Sequence, residues 1–336
     1  MSQAPYQLLC RHEDLHTDRT LVISAEANLD PDWVQLARDT GVSLQSWNWT
    51  TYQNAKRQLG EDKVSFGVPD NELPDNTERV ILLWPKSKVL AQALVEQLAK
   101  TPDHRYLPEL WIVGANDAGG KSINNALKSL ADCEKQDSAR RCSLWSALLK
   151  PQEGSFNWLR LAKPTPYKDD SFLSLPGVFS QGSLDAGTEL LLETLPPLHG
   201  NALDLGCGSG IIGLTTVNDK TTMTLSDVDA MALRSAALNS ARKGLEVTIV
   251  PSDGLADISG RFNYILSNPP FHSGKETDYT IVETLFRQAR DHLTVNGEVW
   301  LVANRHLPYE ELAKGHFSQI EEMASGRGFK VIRLRR

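Results

Sequence analysis

Asn268-Pro269-Pro270-Phe271 closes an apolar, strand-like run from Phe262 to Ser267, at a point where two prolines end any ladder. Asn268 offers an amide oxygen, the X-Pro bond after it restrains it toward extended geometry, and Phe271 supplies a flat apolar face. The carbonyl oxygens of Asn268 and Pro269 beside an aromatic ring suit an aromatic amine, although a Pro-Pro turn that merely ends a core strand uses the same residue types. Upstream, Asp204-Leu-Gly206-Cys-Gly208-Ser-Gly210 follows a strand and opens a helix, where exposed backbone N–H groups can meet the polar end of a ligand. The run from Gly208 through Gly210 to Gly213 also satisfies G-x-G-x-x-G, so a nicotinamide or flavin dinucleotide competes for this loop. The carboxylate of Asp204, immediately before the glycines, favours S-adenosylmethionine: it would repel a pyrophosphate and attract a methionine ammonium. Asp227 ends the next strand and can accept both ribose hydroxyls of either ligand; Asp229 is a substitute that lies farther from the strand end. Asp253, in Ser252-Asp253-Gly254, can accept from an adenine amino group or simply make an Asp-Gly turn.

These residues need a scaffold that brings several strand ends together. The C-terminal half supplies one, as alternating strands and helices: Asn201 to Leu205, a helix over Ile211 to Val217, Met223 to Ser226, an Ala-rich helix over Ala230 to Lys243 stopped by Gly244, Glu246 to Val250, and Phe262 to Ser267. A helix over Ile281 to Leu293 follows, stopped near Gly297, and then strands at Val299 to Val302 and Phe329 to Leu334. This alternation predicts an α/β fold, a mostly parallel twisted sheet with helices on both faces and ligands at the strands' carboxyl ends.

The N-terminal half repeats the pattern in weakened form. Arg79 to Pro85 matches Asn263 to Pro269, and Leu110 to Val113 matches Val299 to Val302, at nearly constant separation. Trp84 stands where Asn268 stands in the second copy, and Leu21 to Ala25 leads into no glycine loop. Between the halves, residues 139–168 carry six Lys and Arg against one Glu, with Trp145, Phe156, Trp158 and Tyr167 interleaved. Such a stretch is either an RNA-contacting surface or solvated basic faces over buried rings. Pro164-Thr-Pro166 is the linker candidate. Arg333, Arg335 and Arg336 are either phosphate contacts or a solvated tail.

The chain has 336 residues, enough for two domains with real cores, and a net charge of -7, so a nucleic-acid partner would have to meet a local basic patch. Four cysteines without paired spacing predict neither disulfide nor metal, and His12 and His16 lack an evident third ligand. The N-terminus carries charge rather than an apolar signal segment, and no run approaches a membrane span. A cytoplasmic protein without a membrane partner is expected.

With the glycine loop, the ribose acid and the Asn-Pro-Pro-Phe strand end in this order, the chain resembles the class I S-adenosylmethionine-dependent amino-methyltransferases. The resemblance implies that Asn268 and Pro269 accept the two hydrogens of the target amine and that Phe271 stacks on the base. It narrows to the ribosomal RNA small-subunit methyltransferase C family on Pro176 to Ser180 with Leu184 to Thr188, on Asp204 to Gly210, on Asn268 to His272 with Gly274, and on the decayed first copy. That family implies two tandem Rossmann-like methyltransferase domains: residues 1–160, degenerate and serving RNA docking or folding support, and residues 161–336, catalytic. It implies S-adenosylmethionine as cofactor, a guanine N2 amine of 16S rRNA as target, the assembled small subunit as partner, and a monomer. In such enzymes the segment from Phe179 to Thr188 is similar to a flap, which makes Gly187 and Thr188 candidate contacts to the methionine end; alternatively, residues 185–187 simply cap a helix. The rivals are a large-subunit guanine, a protein glutamine, a DNA adenine, or an RNA-binding scaffold whose catalysis has decayed. His272 is not assigned a general-base role, since a methylated amine loses its proton readily.

Overall fold

The computed structural model describes residues 3–68, 73–74, 76–100, 107–269 and 276–336, with side chains from 282 onward in the last stretch. The chain divides into two compact units, Met1–Leu161 and Ala162–Arg336. No helix among the described residues is long and apolar enough to cross a membrane.

In the first unit the strands are β1 (Thr20–Ile23), β2 (Ser43–Ser46), β3 (Val64–Phe66), β4 (Arg79–Leu83), β5 (Glu109–Ala115), β6 (Ala131–Ala139) and β7 (Cys142–Leu149). The second unit opens on a two-stranded ribbon, β8 (Lys163–Tyr167) with β9 (Asp170–Ser174). Its main sheet comprises β10 (Gly200–Leu205), β11 (Thr221–Asp227), β12 (Thr248–Pro251), β13 (Phe262–Ser267), β14 (Leu293–Asn304), β15 (Gln319–Gly326) and β16 (Phe329–Arg335). The two seven-stranded sheets share one order, β3-β2-β1-β4-β5-β7-β6 and β12-β11-β10-β13-β14-β16-β15. In each, the first five strands run parallel, and a hairpin closes the far edge antiparallel. Seven strands in the same non-sequential order make the repeat a property of the fold.

Local signals place the helices between the strands. Asp229 caps the helix Ala230–Lys243, its carboxylate accepting from the Met231 N–H at 2.7 Å, and Gly244 ends that helix with a φ of 62°. Residues 299–303 of β14 are buried throughout, as expected of a central strand covered on both faces. The ladder pairs Leu205 with Ser226 and with Ser267, and Asp227 with Pro251, so the glycine loop, Asp227, the Ser252 turn and Asn268 leave the same edge of the sheet.

Several expectations are corrected. Pro164-Thr-Pro166 is no linker; it forms most of β8, with both prolines exposed on a two-stranded ribbon that tolerates their missing donors. The helix before β14 ends at His292, and Gly297 lies inside the strand, where a Cβ would come within 2.8 Å of the Phe262 carbonyl oxygen. Trp145, Phe156, Trp158 and Tyr167 are buried, so their rings offer no stacking surface, and the Arg160 guanidinium lies over Phe156 and pairs with Glu96. Arg333 and Arg335 are held by Glu321 and Glu298 at 2.5 Å. β6 and β15 gave no apolar alternation because both are edge strands with mostly exposed residues.

In the first unit the loop after β5 folds back as Gly120-Lys121-Ser122, with the Gly120 carbonyl accepting from the Trp145 indole at 2.9 Å. A Cβ on Gly120 would stand 2.1 Å from the Gly114 carbonyl oxygen and 2.8 Å from that of Ala115, both backbone atoms that cannot swing aside. Gly120→Ala is therefore expected to destabilise the protein by about 2–3 kcal/mol, read as a lower urea midpoint at unchanged slope. An unchanged midpoint would mean that the loop moves freely.

Candidate active site

The loop between β10 and the helix Ile211–Thr216 carries Gly206, Gly208 and Gly210, with φ of 71°, 55° and 81°. Three left-handed residues in alternation are accessible to glycine at little cost and to other residues only with strain. The Gly206 and Cys207 N–H groups donate to the Ser226 carbonyl at 2.8 and 2.9 Å, which ties the loop to β11. A Cβ on Gly206 would meet nothing within 4 Å, so space lies open beside the loop, whereas one on Gly213 would press on Leu225 and Asp204.

Three acids stand at or near this loop. Asp204 is fully buried; one carboxylate oxygen accepts from the Gly213 N–H at 2.8 Å and the other, equally buried, has no partner among the described residues. Burial lifts its carboxyl to about 7; the Gly213 hydrogen bond opposes the rise and the charge of Asp227 adds to it. Asp227 accepts from the Gly208 N–H at 2.9 Å and the Asp229 N–H at 3.0 Å, and burial raises its pKa as well. Asp229 is a helix cap, which leaves Asp227 as the acid at the strand end. Burial raises its carboxyl to about 7, with Asp227 adding. Asp253 stands exposed on the turn after β12, and the Ser252 N–H donates to the Asp227 carbonyl at 3.1 Å.

Asn268 follows β13 directly, and its amide is anchored on one side only. Nδ2 donates to an Asp185 carboxylate oxygen at 3.0 Å and to the Thr188 hydroxyl at 2.8 Å. A carboxylate only accepts, so the nitrogen must face it, and the amide cannot be flipped without setting oxygen against oxygen. Oδ1 is left buried, with no partner among the described residues. Asp185 also caps the helix Ala186–Thr194 by accepting from the Thr188 N–H at 3.0 Å. A Cβ on Gly187 would lie 3.0 Å from both that carboxylate and the Phe329 ring, so glycine permits the packing. Pro269 is buried; Pro270, Phe271, His272 and Gly274 lie outside the described residues.

Two adjoining family descriptions match the sequence, "Methyltransferase small domain N-terminal" over residues 6–164 and "Methyltransferase small domain" over residues 169–333. A relative from Hamiltonella defensa, named ribosomal RNA small subunit methyltransferase C, is 37% identical over 97% of both chains. One of the same name from Serratia proteamaculans is 36% identical over 97% of this chain and 93% of its own. The chain belongs to the ribosomal RNA small subunit methyltransferase C family. Its fold is also that of the T. thermophilus 16S rRNA N2 G1207 methyltransferase solved with AdoMet and guanosine, at a TM-score of 0.74 and 20% identity over 96% of this chain and 91% of that one.

Within this family framework, the chain brings Asp204, the three loop glycines, Asp227, Asp253, Asn268 and Pro269 to one sheet edge. Asp185 was legible only as a cap; its bond to Asn268 spans 83 residues and leaves no local signal. His12 meets Asp137 at 2.9 Å and His16 meets the Trp33 indole at 3.1 Å, and among the described residues no three His, Cys, Asp or Glu side chains are grouped as metal ligands would be.

The raised acids make stability depend on pH. Folded values near 7 for Asp204 and Asp229 exceed the unfolded carboxyl value of about 4, so the folded state holds the protons more tightly. That contribution is fully present below pH ~4 and is lost as pH rises to ~7. Urea midpoints of the ligand-free protein are expected to fall across this window, with a shallower fall in Asp204→Asn. Parallel profiles for the two proteins would rule out Asp204 as a source.

Proposed function

We infer that this protein transfers a methyl group from S-adenosyl-L-methionine to the exocyclic N2 amine of a guanine in 16S rRNA. The observation that carries this reading is the buried, unpartnered Oδ1 of Asn268, with its nitrogen tied back by Asp185 and Thr188. An unfilled buried acceptor is costly, and an amine hydrogen is the kind of group that satisfies it. Family membership supplies the substrate class.

S-adenosyl-L-methionine, when bound, supplies an electrophilic methyl on a cationic sulfonium. The residues present suit it. Three acids stand at or beside the glycine loop, one of them with a buried empty oxygen, and such a set favours a cationic ligand over a dinucleotide's pyrophosphate. In this reading Asp204 faces the ammonium end, Gly206, Gly208 and Gly210 let the backbone approach, Asp227 takes the ribose hydroxyls, and Asp253 takes the adenine amine. Gly187 and Thr188 carry the flap to the methionine end.

Asn268 Oδ1 and the Pro269 carbonyl accept the two hydrogens of the target amine, which points the nitrogen lone pair along the line of transfer. Both oxygens also stabilise the positive charge that grows on nitrogen as the new bond forms, so positioning and electrostatics carry the rate. Phe271 is assigned the stacking face for the base, which must leave its helix to reach these oxygens. The reading extends to the assembled small subunit as substrate, a monomer as the acting form and the cytoplasm as its location.

Asn268→Ala is expected to lower kcat by about 10²–10³-fold while cofactor affinity, read by calorimetry, stays the same. Unchanged turnover would sink the geometry. Labelled methyl transfer to naked small-subunit RNA, assembled small subunits, large subunits and tRNA, followed by mapping of the modified base, tests the substrate: label confined to tRNA, large subunits or protein would refute it.

A further inference from the structure

The hairpins that close the two sheets turn in the same way and differ in what they present. In the second unit β15 and β16 are joined by Arg327-Gly328, with φ of 53° and 84°, and the Gly328 carbonyl accepts from the Arg305 N–H at 2.9 Å. Arg327 is neutralised by Glu189. In the first unit β6 and β7 are joined by Arg140-Arg141, with φ of 50° and 61°, and the Arg141 carbonyl accepts from the Asn116 N–H at 2.8 Å. Two-residue turns with both positions left-handed favour Asn-Gly, and a bulky residue at the second position is disfavoured. The first unit nevertheless keeps arginine where its counterpart keeps glycine. Strain held at a fixed place in a fold marks a functional site when something else over-determines it.

Arg140 and Arg141 are exposed, and neither guanidinium has an ion pair or hydrogen bond among the described residues. Arg141 lines a cleft of about 380 Å³ together with Asn116, Asp117 and Lys121, at the carboxyl end of β5. Lys121 is likewise without a partner there. The walls are fixed: Asn116 accepts from the Ser143 hydroxyl at 3.0 Å, and Gly120, beside Lys121, is held by Trp145. Two unpaired cations in the cleft, with Arg140 next to them on the turn, form an anion site, and Asp117 tells which anion. Its carboxylate repels a free phosphate, but it can accept from a ribose 2′-hydroxyl beside a phosphodiester.

We propose that Arg141 and Lys121 bind the backbone phosphates of the RNA substrate in the cleft of the first unit, with Arg140 on the adjoining turn meeting a neighbouring phosphate and Asp117 accepting from an adjacent ribose hydroxyl. The proposal rests on the RNA reading above and gives the degenerate unit a docking site of its own. Phosphate contacts of this kind fix register and leave the choice of base to the catalytic unit.

The test is Arg140→Asn/Arg141→Gly, which installs the turn's preferred residues, with Lys121→Gln as a second variant. The double variant is expected to raise the thermal midpoint, to weaken binding of small-subunit RNA on the order of tenfold at low salt, and to reduce the log–log salt slope by about two. Turnover at saturating RNA and cofactor affinity should be unchanged, and wild-type protein should prefer RNA to DNA of the same sequence. RNA affinity and salt slope equal to wild type in both variants would overturn the proposal, as would equal binding of DNA. Binding is measured without cofactor, so it reads the same whether or not the methyl-transfer reading holds; failure of that reading would show as absent methylation by wild-type protein.

Discussion

A carboxylate that can only accept hydrogen bonds decides which way the Asn268 amide points, and the site depends on that choice. Asp185 and Thr188 take both hydrogens of Nδ2, leaving Oδ1 buried and unfilled. Were the amide free to rotate, it could present a donor to an amine and repel it. The same carboxylate caps the helix Ala186–Thr194, so one residue both starts an element and orients a group contributed by a strand elsewhere. Gly187 matters because a Cβ there would press at 3.0 Å on both the Asp185 carboxylate and the Phe329 ring.

Beneath the glycine loop the governing term is desolvation. Asp204, Asp227 and Asp229 are taken out of water, and their neighbours return only part of what burial removes, chiefly through backbone N–H groups. Asp229 is satisfied as a helix cap; Asp204 keeps an oxygen unfilled. A group of this sign holds a cation well and a pyrophosphate badly. The glycine pattern alone leaves that choice open.

The two units show one topology with opposite fates. At the position of Asn268 the first unit has Trp84, which is buried, and the loop after β5 packs close enough that Gly119 lies within reach of its indole. An apolar ring in place of an amide supplies no acceptor, and no glycine loop follows β1. What the first unit retains is the sheet and its closing hairpin, whose turn carries Arg140 and Arg141 with no carboxylate partner among the described residues.

Residue type and order by themselves determined the second unit's alternation of strands and helices, the glycine loop, the strand-end acids and the Asn-Pro-Pro-Phe stop, because each is a local pattern: a hydrophobic period, a backbone conformation open to glycine, or a proline that ends a ladder. The same patterns marked the first unit as a weaker copy. They left residues 139–168 open between a stacking surface and basic faces over buried rings, since composition cannot tell a ring on the surface from one in the core, and they took an edge strand with prolines for a linker. Edge strands β6 and β15 escaped notice because strands solvated on both faces carry no alternation. Only the tertiary structure decided which oxygen of Asn268 is free, that Asp185 sets it, and that Arg333 and Arg335 are neutralised by glutamates on neighbouring strands. Each depends on a contact between residues far apart in the chain, and such contacts exist only once the sheet has formed.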